Sequence, residues 1–402
     1  MRILIVSPEL PYPPAWGFAI RVSRILALLS RRHTVSLLTY ARDGADDNVR
    51  ALAATCHSVH TVLEPSDSSM AKRIGQMTSM VSSASYHGRY LYTDAMQRKL
   101  DELTAQERFD VIQVETSQMV AFRFDPRAAL AIVEHDIVYE LLGRMATSER
   151  SFLRRAYNSA EARKFKLEEI ERWKQASACI VTSSREVPIV RQAGITVPVL
   201  VAPNGVDVEY FAPSSQAPEP DTLVMTGLMR YRPNIDAAAF FVSEVFPQIL
   251  AQRPNARIFI VGGDPPEEVT RLASERVIVT GGVPDVRPYV HRAAVVVVPL
   301  RMGGGTRLKV LEGLAMKKAM VSTYIGCEGI EVEDQKHLLV RNDADSFAKA
   351  VLQLLNDPAT GTALANEGYD LVGRQYRWEM VVDKVERLYE QLVSERNAQR
   401  SK

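Results

Sequence analysis

The sequence predicts an α/β protein built as two open, doubly wound domains in tandem, each a mostly parallel sheet covered by helices. Three observations carry this reading. Short Val/Ile/Leu runs, continuous rather than alternating, recur with helix-length segments between them, as buried parallel strands require. The pattern halts once, over a proline-rich stretch at 203–220, and then restarts. The 402 residues, 46% hydrophobic and 24% charged, suffice for two cores.

In chain order, residues 2–7 (RILIVS), 34–39 (TVSLLT), 109–115 (FDVIQVE), 129–133 (ALAIV) and 178–182 (ACIVT) read as strands of a first domain, 1–202. Segments 18–32 and 160–175 read as its helices. Residues 203–220 (PNGVDVEYFAPSSQAPEP) hold four prolines and no periodicity, so they read as a linker. The second domain, 221–377, has strands at 222–226 (TLVMT), 257–261 (RIFIV), 276–280 (RVIVT), 294–299 (AVVVVP) and 319–323 (AMVST). Its helices read as 234–252, 285–293, 306–316 and 343–356. In the closing segment 378–402, Val381, Val385, Leu388 and Leu392 recur at helical spacing. Two such domains place their ligand loops at the carboxyl ends of the strands, which predicts a cleft between them.

Composition narrows the function. A net charge of +1 disfavours nucleic acid as a partner. Three scattered cysteines, without CxxC, argue against a disulfide framework or structural zinc. The apolar start is too short for a signal peptide, and no run reaches the ~18 apolar residues of a membrane span. A cytoplasmic protein is expected.

Four loops carry candidate chemistry. Residues 8–17 (PELPYPPAWG) lead into a helix containing Arg21, and Gly17 leaves room for a phosphate or sugar beside helix amides. A proline-stiffened turn explains the same residues. His135, in Glu134-His135-Asp136 after a strand, suits an acceptor hydroxyl as base or positioning group, or is a structural histidine. The segment 299–316 (PLRMGGGTRLKVLEGLAM) runs from strand through three glycines into a helix. Arg307 and Lys309 stand in its expected first turn, where cations oppose the helix dipole and so call for an anion. Glu312 lies over a turn later, and an acidic side chain can hold ribose hydroxyls. Residues 226–234 (TGLMRYRPN) repeat the strand, glycine and cation pattern with Arg230 and Arg232. No acidic or histidine cluster suits a metal, so Arg/Lys and helix dipoles are left to neutralise a leaving diphosphate.

Together these segments resemble the retaining glycosyltransferases of family 4, which have the GT-B fold, and within them the bacterial branch of polysaccharide and glycolipid assembly. The resemblance rests on LPYPPAWGFAIR (10–21), VEHDIVYE (133–140), PNGVDVEYF (203–211), TGLMRYRPNIDA (226–237), GGGTRLKVLEGLAMKKAMVST (303–323) and GCEGIE (326–331), in that order. It implies that Gly17 faces the donor diphosphate, His135 the reacting sugar and Glu312 the ribose. It implies too that the loop with Gly304, Gly305 and Thr306 closes on sugar and phosphates, and that 378–396 crosses back onto the first domain. The chain departs from the family in three places. A Glu is usual eight positions before the ribose Glu, where Gly304 stands, and an Arg and a Lys are usual where Leu228 and Pro233 align. Arg230, Arg232, Arg307 and Lys309 are the available substitutes.

The expected reaction is retaining transfer from a nucleotide diphosphate sugar, as co-substrate, to a hydroxyl of a sugar, lipid-linked or other acceptor. Neither metal nor other cofactor is expected, and peripheral contact at the inner membrane face is compatible with it. Two rivals stand beside it: an epimerase or hydrolase on the same fold, and a non-catalytic nucleotide-binding homologue.

Overall fold

A computed structural model describes residues 1–65, 69–119, 121–149, 151–303 and 307–400. The chain divides into two units, Met1–Ala202 with Val382–Lys402, and Pro203–Val381.

The first unit holds seven parallel strands: β1 (Arg2–Ser7), β2 (Thr34–Ala41), β3 (Ser58–Leu63), β4 (Val111–Val114), β5 (Ala129–Glu134), β6 (Ala178–Val181) and β7 (Val199–Val201). Their order is β3-β2-β1-β4-β5-β6-β7. Registers run Val6↔Val114 from β1 to β4 and Val114↔Ile132 from β4 to β5, so these three strands end side by side. β4, β5 and β6 are buried along their whole length, which explains their unbroken apolar runs.

The second unit holds six: β8 (Thr222–Thr226), β9 (Arg257–Val261), β10 (Val277–Gly281), β11 (Val295–Val298), β12 (Ala319–Ser322) and β13 (Leu339–Val340), in the order β10-β9-β8-β11-β12-β13. Strand order reverses between β1 and β4 in one sheet and between β8 and β11 in the other. The carboxyl ends at such a reversal are where open α/β sheets bind ligands.

Several expectations are corrected. β3, β7, β13 and the helix Pro358–Gln375 were not read from the sequence. The expected helix 234–252 is broken into Arg232–Phe240, a π turn Phe241–Val245 and Phe246–Gln252. Pro247 has no N–H for the regular ladder, and the wider turn absorbs the missing bond. Residues 203–220 do not hang as a bare connector. Val206 N donates to the Tyr376 carbonyl at 2.7 Å, and a Cβ on Gly205 would fall 2.6 Å from the Trp378 ring.

Candidate active site

In the first unit, the loops after β1, β4 and β5 meet around His135. Gly17 opens the helix Gly17–Ser30, whose N-cap, Trp16, makes no side-chain capping bond and whose first turn has no acid. The start of that helix therefore keeps its positive pole. The next residue, Phe18, packs its ring 4.8 Å from the His135 ring. His135 Nε2 lies 2.9 Å from Oε2 of Glu115, which follows β4 and is fully buried. Arg21, also buried, supplies positive charge near Glu115 and Glu186.

Glu134 does not share the role of its neighbour. Glu134 turns into the core and accepts from Trp173 Nε1 at 2.6 Å. Glu169 accepts from Val138 N at 3.2 Å and Tyr139 N at 3.1 Å, capping the helix Val138–Ser148 that follows His135. Burial pushes both carboxyls up, Glu169 to about 7. Glu186, pushed by burial to about 7, accepts from Thr182 N at 2.9 Å and Ser183 N at 3.0 Å. Thr182 Oγ1 in turn donates to the His135 carbonyl at 3.2 Å. These acids build the scaffold that holds the loop.

In the second unit, two glycines let the ends of β8 and β9 close up. Gly227 and Gly262 have φ of +151° and +159°, and a Cβ on Gly262 would lie 1.7 Å from the Gly227 carbonyl oxygen. Against Gly227 lies the ammonium of Lys309, 2.7 Å from where a Cβ would stand. Lys309 Nζ donates to Asn234 Oδ1 at 2.8 Å, and Asn234 Nδ2 donates to the Leu228 carbonyl at 2.8 Å. Desolvation and the nearby Arg307 lower the Lys309 ammonium to about 8, with Glu312 opposing.

The helix here is Leu308–Ala315, so Arg307 is its N-cap rather than a first-turn residue. Neither cation is the solvated side chain that a bare helix start would carry. Arg307 is 7% exposed and donates from Nε to the Ile325 carbonyl at 3.2 Å, with its guanidinium over Gly303. Glu312 is half-buried, and desolvation raises it to about 7 against the pull of Lys309. Arg230 is exposed and pairs with Asp264 at 3.4 Å; Arg232, also exposed, starts the helix Arg232–Phe240. Gly304, Gly305 and Thr306 lie outside the described residues.

The structure thus joins His135 with the Gly17 turn, and Lys309 with the Gly227 loop. Glu115 and Asn234 went unread as site residues. The only sequence signal for Glu115 was an acid closing an apolar strand. Among the described residues no group of three or more His, Cys, Asp or Glu could hold a metal ion.

Comparison with known proteins assigns both units. Residues 17–210 match Glycosyltransferase Family 4, and residues 220–357 match Glycosyl transferases group 1. A phosphatidylinositol N-acetylglucosaminyltransferase subunit of Arabidopsis thaliana is 26% identical over 225 residues, 53% of this chain and 48% of that protein. The match thus spans about half the length of that relative. An uncharacterized 44.6 kDa protein of the Klebsiella pneumoniae cps region is 20% identical over 401 residues, 96% of this chain and 98% of its own. Among solved structures, sucrose-phosphate synthase from Thermosynechococcus elongatus superposes with a TM-score of 0.68 at 18% identity, covering 98% of this chain and 99% of that one. Anabaena HepE, solved with UDP, gives 0.66 at 14%, covering 97% and 100%. At these identities the structural likeness is one of fold.

Proposed function

We propose that this chain, which belongs to the GT-B glycosyltransferases, transfers a sugar from a nucleotide diphosphate sugar to an acceptor hydroxyl with retention of configuration. One observation carries the reading. At the strand-order reversal of the second sheet, Arg307 and Lys309 stand beside glycine-lined strand ends, with Glu312 farther along the same helix. Two cations gathered beside open strand ends attract an anion, and a diphosphate supplies one. Glu312 then holds the ribose hydroxyls, and His135 serves the reacting sugar.

In this mechanism the diphosphate leaves and the acceptor attacks on the same face of the sugar. The glycosidic C–O bond to phosphate breaks as the new C–O bond forms, and the departing phosphate takes the acceptor proton. Arg307, Lys309 and helix amides stabilise the charge that develops on the leaving oxygen. No enzyme nucleophile is required. A panel of nucleotide sugars with anomeric analysis of the product by NMR tests this; an inverted product overturns retention. Donor turnover without any acceptor favours the epimerase or hydrolase reading. We also expect full turnover in excess EDTA, and a loss restored by Mg²⁺ or Mn²⁺ contradicts the cation mechanism.

The acceptor side fits a lipid-linked substrate. Met77, Met80 and Val81 are exposed, as are Phe152 and Leu153. Ser79 Oγ, 3.2 Å from Tyr157 Oη, ties the two segments together, and Arg154 and Arg155 are exposed beside them. Apolar and cationic groups side by side suit an anionic bilayer. Phe152→Ser with Leu153→Ser is expected to lower co-sedimentation with anionic phospholipid vesicles; unchanged sedimentation removes this face from membrane contact.

A further inference from the structure

We propose that Glu115 is a positioning residue that fixes His135 so that Nδ1, as a hydrogen-bond acceptor, is the nitrogen meeting the sugar hydroxyl. This rests on the reading that His135 serves the reacting sugar. Glu115 is fully buried at the strand-order reversal, next to β5, and both of its oxygens are engaged. Oε2 takes the imidazole Nε2 at 2.9 Å, and Oε1 accepts from Gln113 Nε2. The Gln113 amide is itself oriented, because Tyr389 Oη donates to its Oε1. Gln113 is 1% exposed and Tyr389 is fully buried on the helix Trp378–Arg400. The four side chains form one connected chain in which Tyr389 donates to Gln113, and Gln113 and His135 both donate to Glu115.

Direction follows from donor inventory. An ionised carboxylate only accepts, so Nε2 carries the hydrogen and a neutral ring keeps its lone pair on Nδ1. Phe18 packs against the ring at 4.8 Å, and Thr182 holds the main-chain carbonyl of His135. Arg21 is set near Glu115, Glu186 and Tyr389, and Glu9 lies near the imidazole. His135 therefore offers an acceptor to a hydroxyl of the donor sugar, and the C-terminal helix contributes to that offer through Tyr389.

The test combines kinetics with long-range ¹H–¹⁵N NMR of the full-length protein, the His135 signal being assigned by its loss in His135→Ala. For the neutral ring, wild type is expected to show the hydrogen on Nε2 and a bare Nδ1, and Glu115→Gln a mixture of tautomers, since an amide can face the ring by either end. Glu115→Gln is expected to lower kcat about 10- to 100-fold with donor KM nearly unchanged, and Tyr389→Phe to lower it about threefold in the same manner. A neutral wild-type ring with its hydrogen on Nδ1 overturns the proposal even if neither variant folds. So does a Glu115→Gln enzyme with full kcat while His135→Ala has lost transfer. Full transfer by His135→Ala instead sinks the sugar-side reading of His135, and this proposal with it.

Discussion

The two strand-order reversals differ in charge far more than in architecture. In the first unit the strand ends gather buried acids: Glu115, Glu134, Glu169 and Glu186 surround one loop, with Arg21 among them. In the second unit the corresponding ends gather glycines and cations, Gly262 against Gly227, Gly227 beside Lys309, and Gly303 beside Arg307. One geometry serves two tasks. A parallel sheet supplies the positions and helix starts, and the residues after each strand decide what they hold. Acids that orient a histidine suit a group that must be aimed. Cations raised against glycine suit a diphosphate that must lie close to the backbone.

Variants on either side can break this division. The largest effect is expected on the acidic side, where His135→Ala lowers transfer by about 10²-fold or more while donor binding stays nearly intact. A collapse of donor affinity in calorimetry makes His135 a binding or folding residue instead. On the cationic side, Glu312→Ala is expected to weaken nucleotide binding by about 1–3 kcal/mol, and Glu312→Gln by less, because the amide keeps an acceptor for the ribose. Equal affinity in wild type and both variants takes Glu312 out of the site. The smallest effect is a pH dependence. Lys309, lowered to about 8 in the free protein, must be charged to meet a diphosphate. Affinity for the diphosphate should therefore fall above pH 8, by at most about tenfold per pH unit. Ligand-free stability takes the opposite sign. The unfolded chain binds more protons on this lysine than the folded one between its lowered and ordinary values, so stability rises with pH across that window. A diphosphate affinity that stays flat from pH 7 to 9 removes Lys309 from the phosphate site.

The same contrast sets what the sequence could disclose. Central strands were legible because burial on both faces demands unbroken Val, Ile and Leu, as in 295–298. β3 was not, since SVHTVL lies half-buried at an edge and keeps His60 and Thr61. The helix Pro358–Gln375 hid behind Gly361, Gly368 and Gly373, which weaken its apparent propensity. In the site, the glycine-rich loop and its cations announced themselves because they are contiguous. The Glu115–His135 pair spans 20 positions and the Lys309–Asn234 pair 75, so only strand order brings their members together. The burial of Arg307 was equally invisible. A cation before a helix reads as solvated until the fold lays it over Gly303 beneath the Ile325 carbonyl.

The division of labour is tested most directly by calorimetric titration of UDP and uridine into wild type, His135→Ala and Lys309→Met. UDP and uridine differ only in the diphosphate, so the difference between their affinities reports the phosphate contacts alone. Methionine fills the space of the lysine stem without its charge, and a melting curve of the ligand-free variant checks that its fold persists. Lys309→Met should then lose most of the affinity by which UDP exceeds uridine and keep its uridine affinity, while His135→Ala binds both as wild type does. If UDP and uridine weaken together in Lys309→Met, or if His135→Ala loses the UDP advantage and Lys309→Met keeps it, the cationic loop is not the diphosphate site and the assignment of the two units is contradicted.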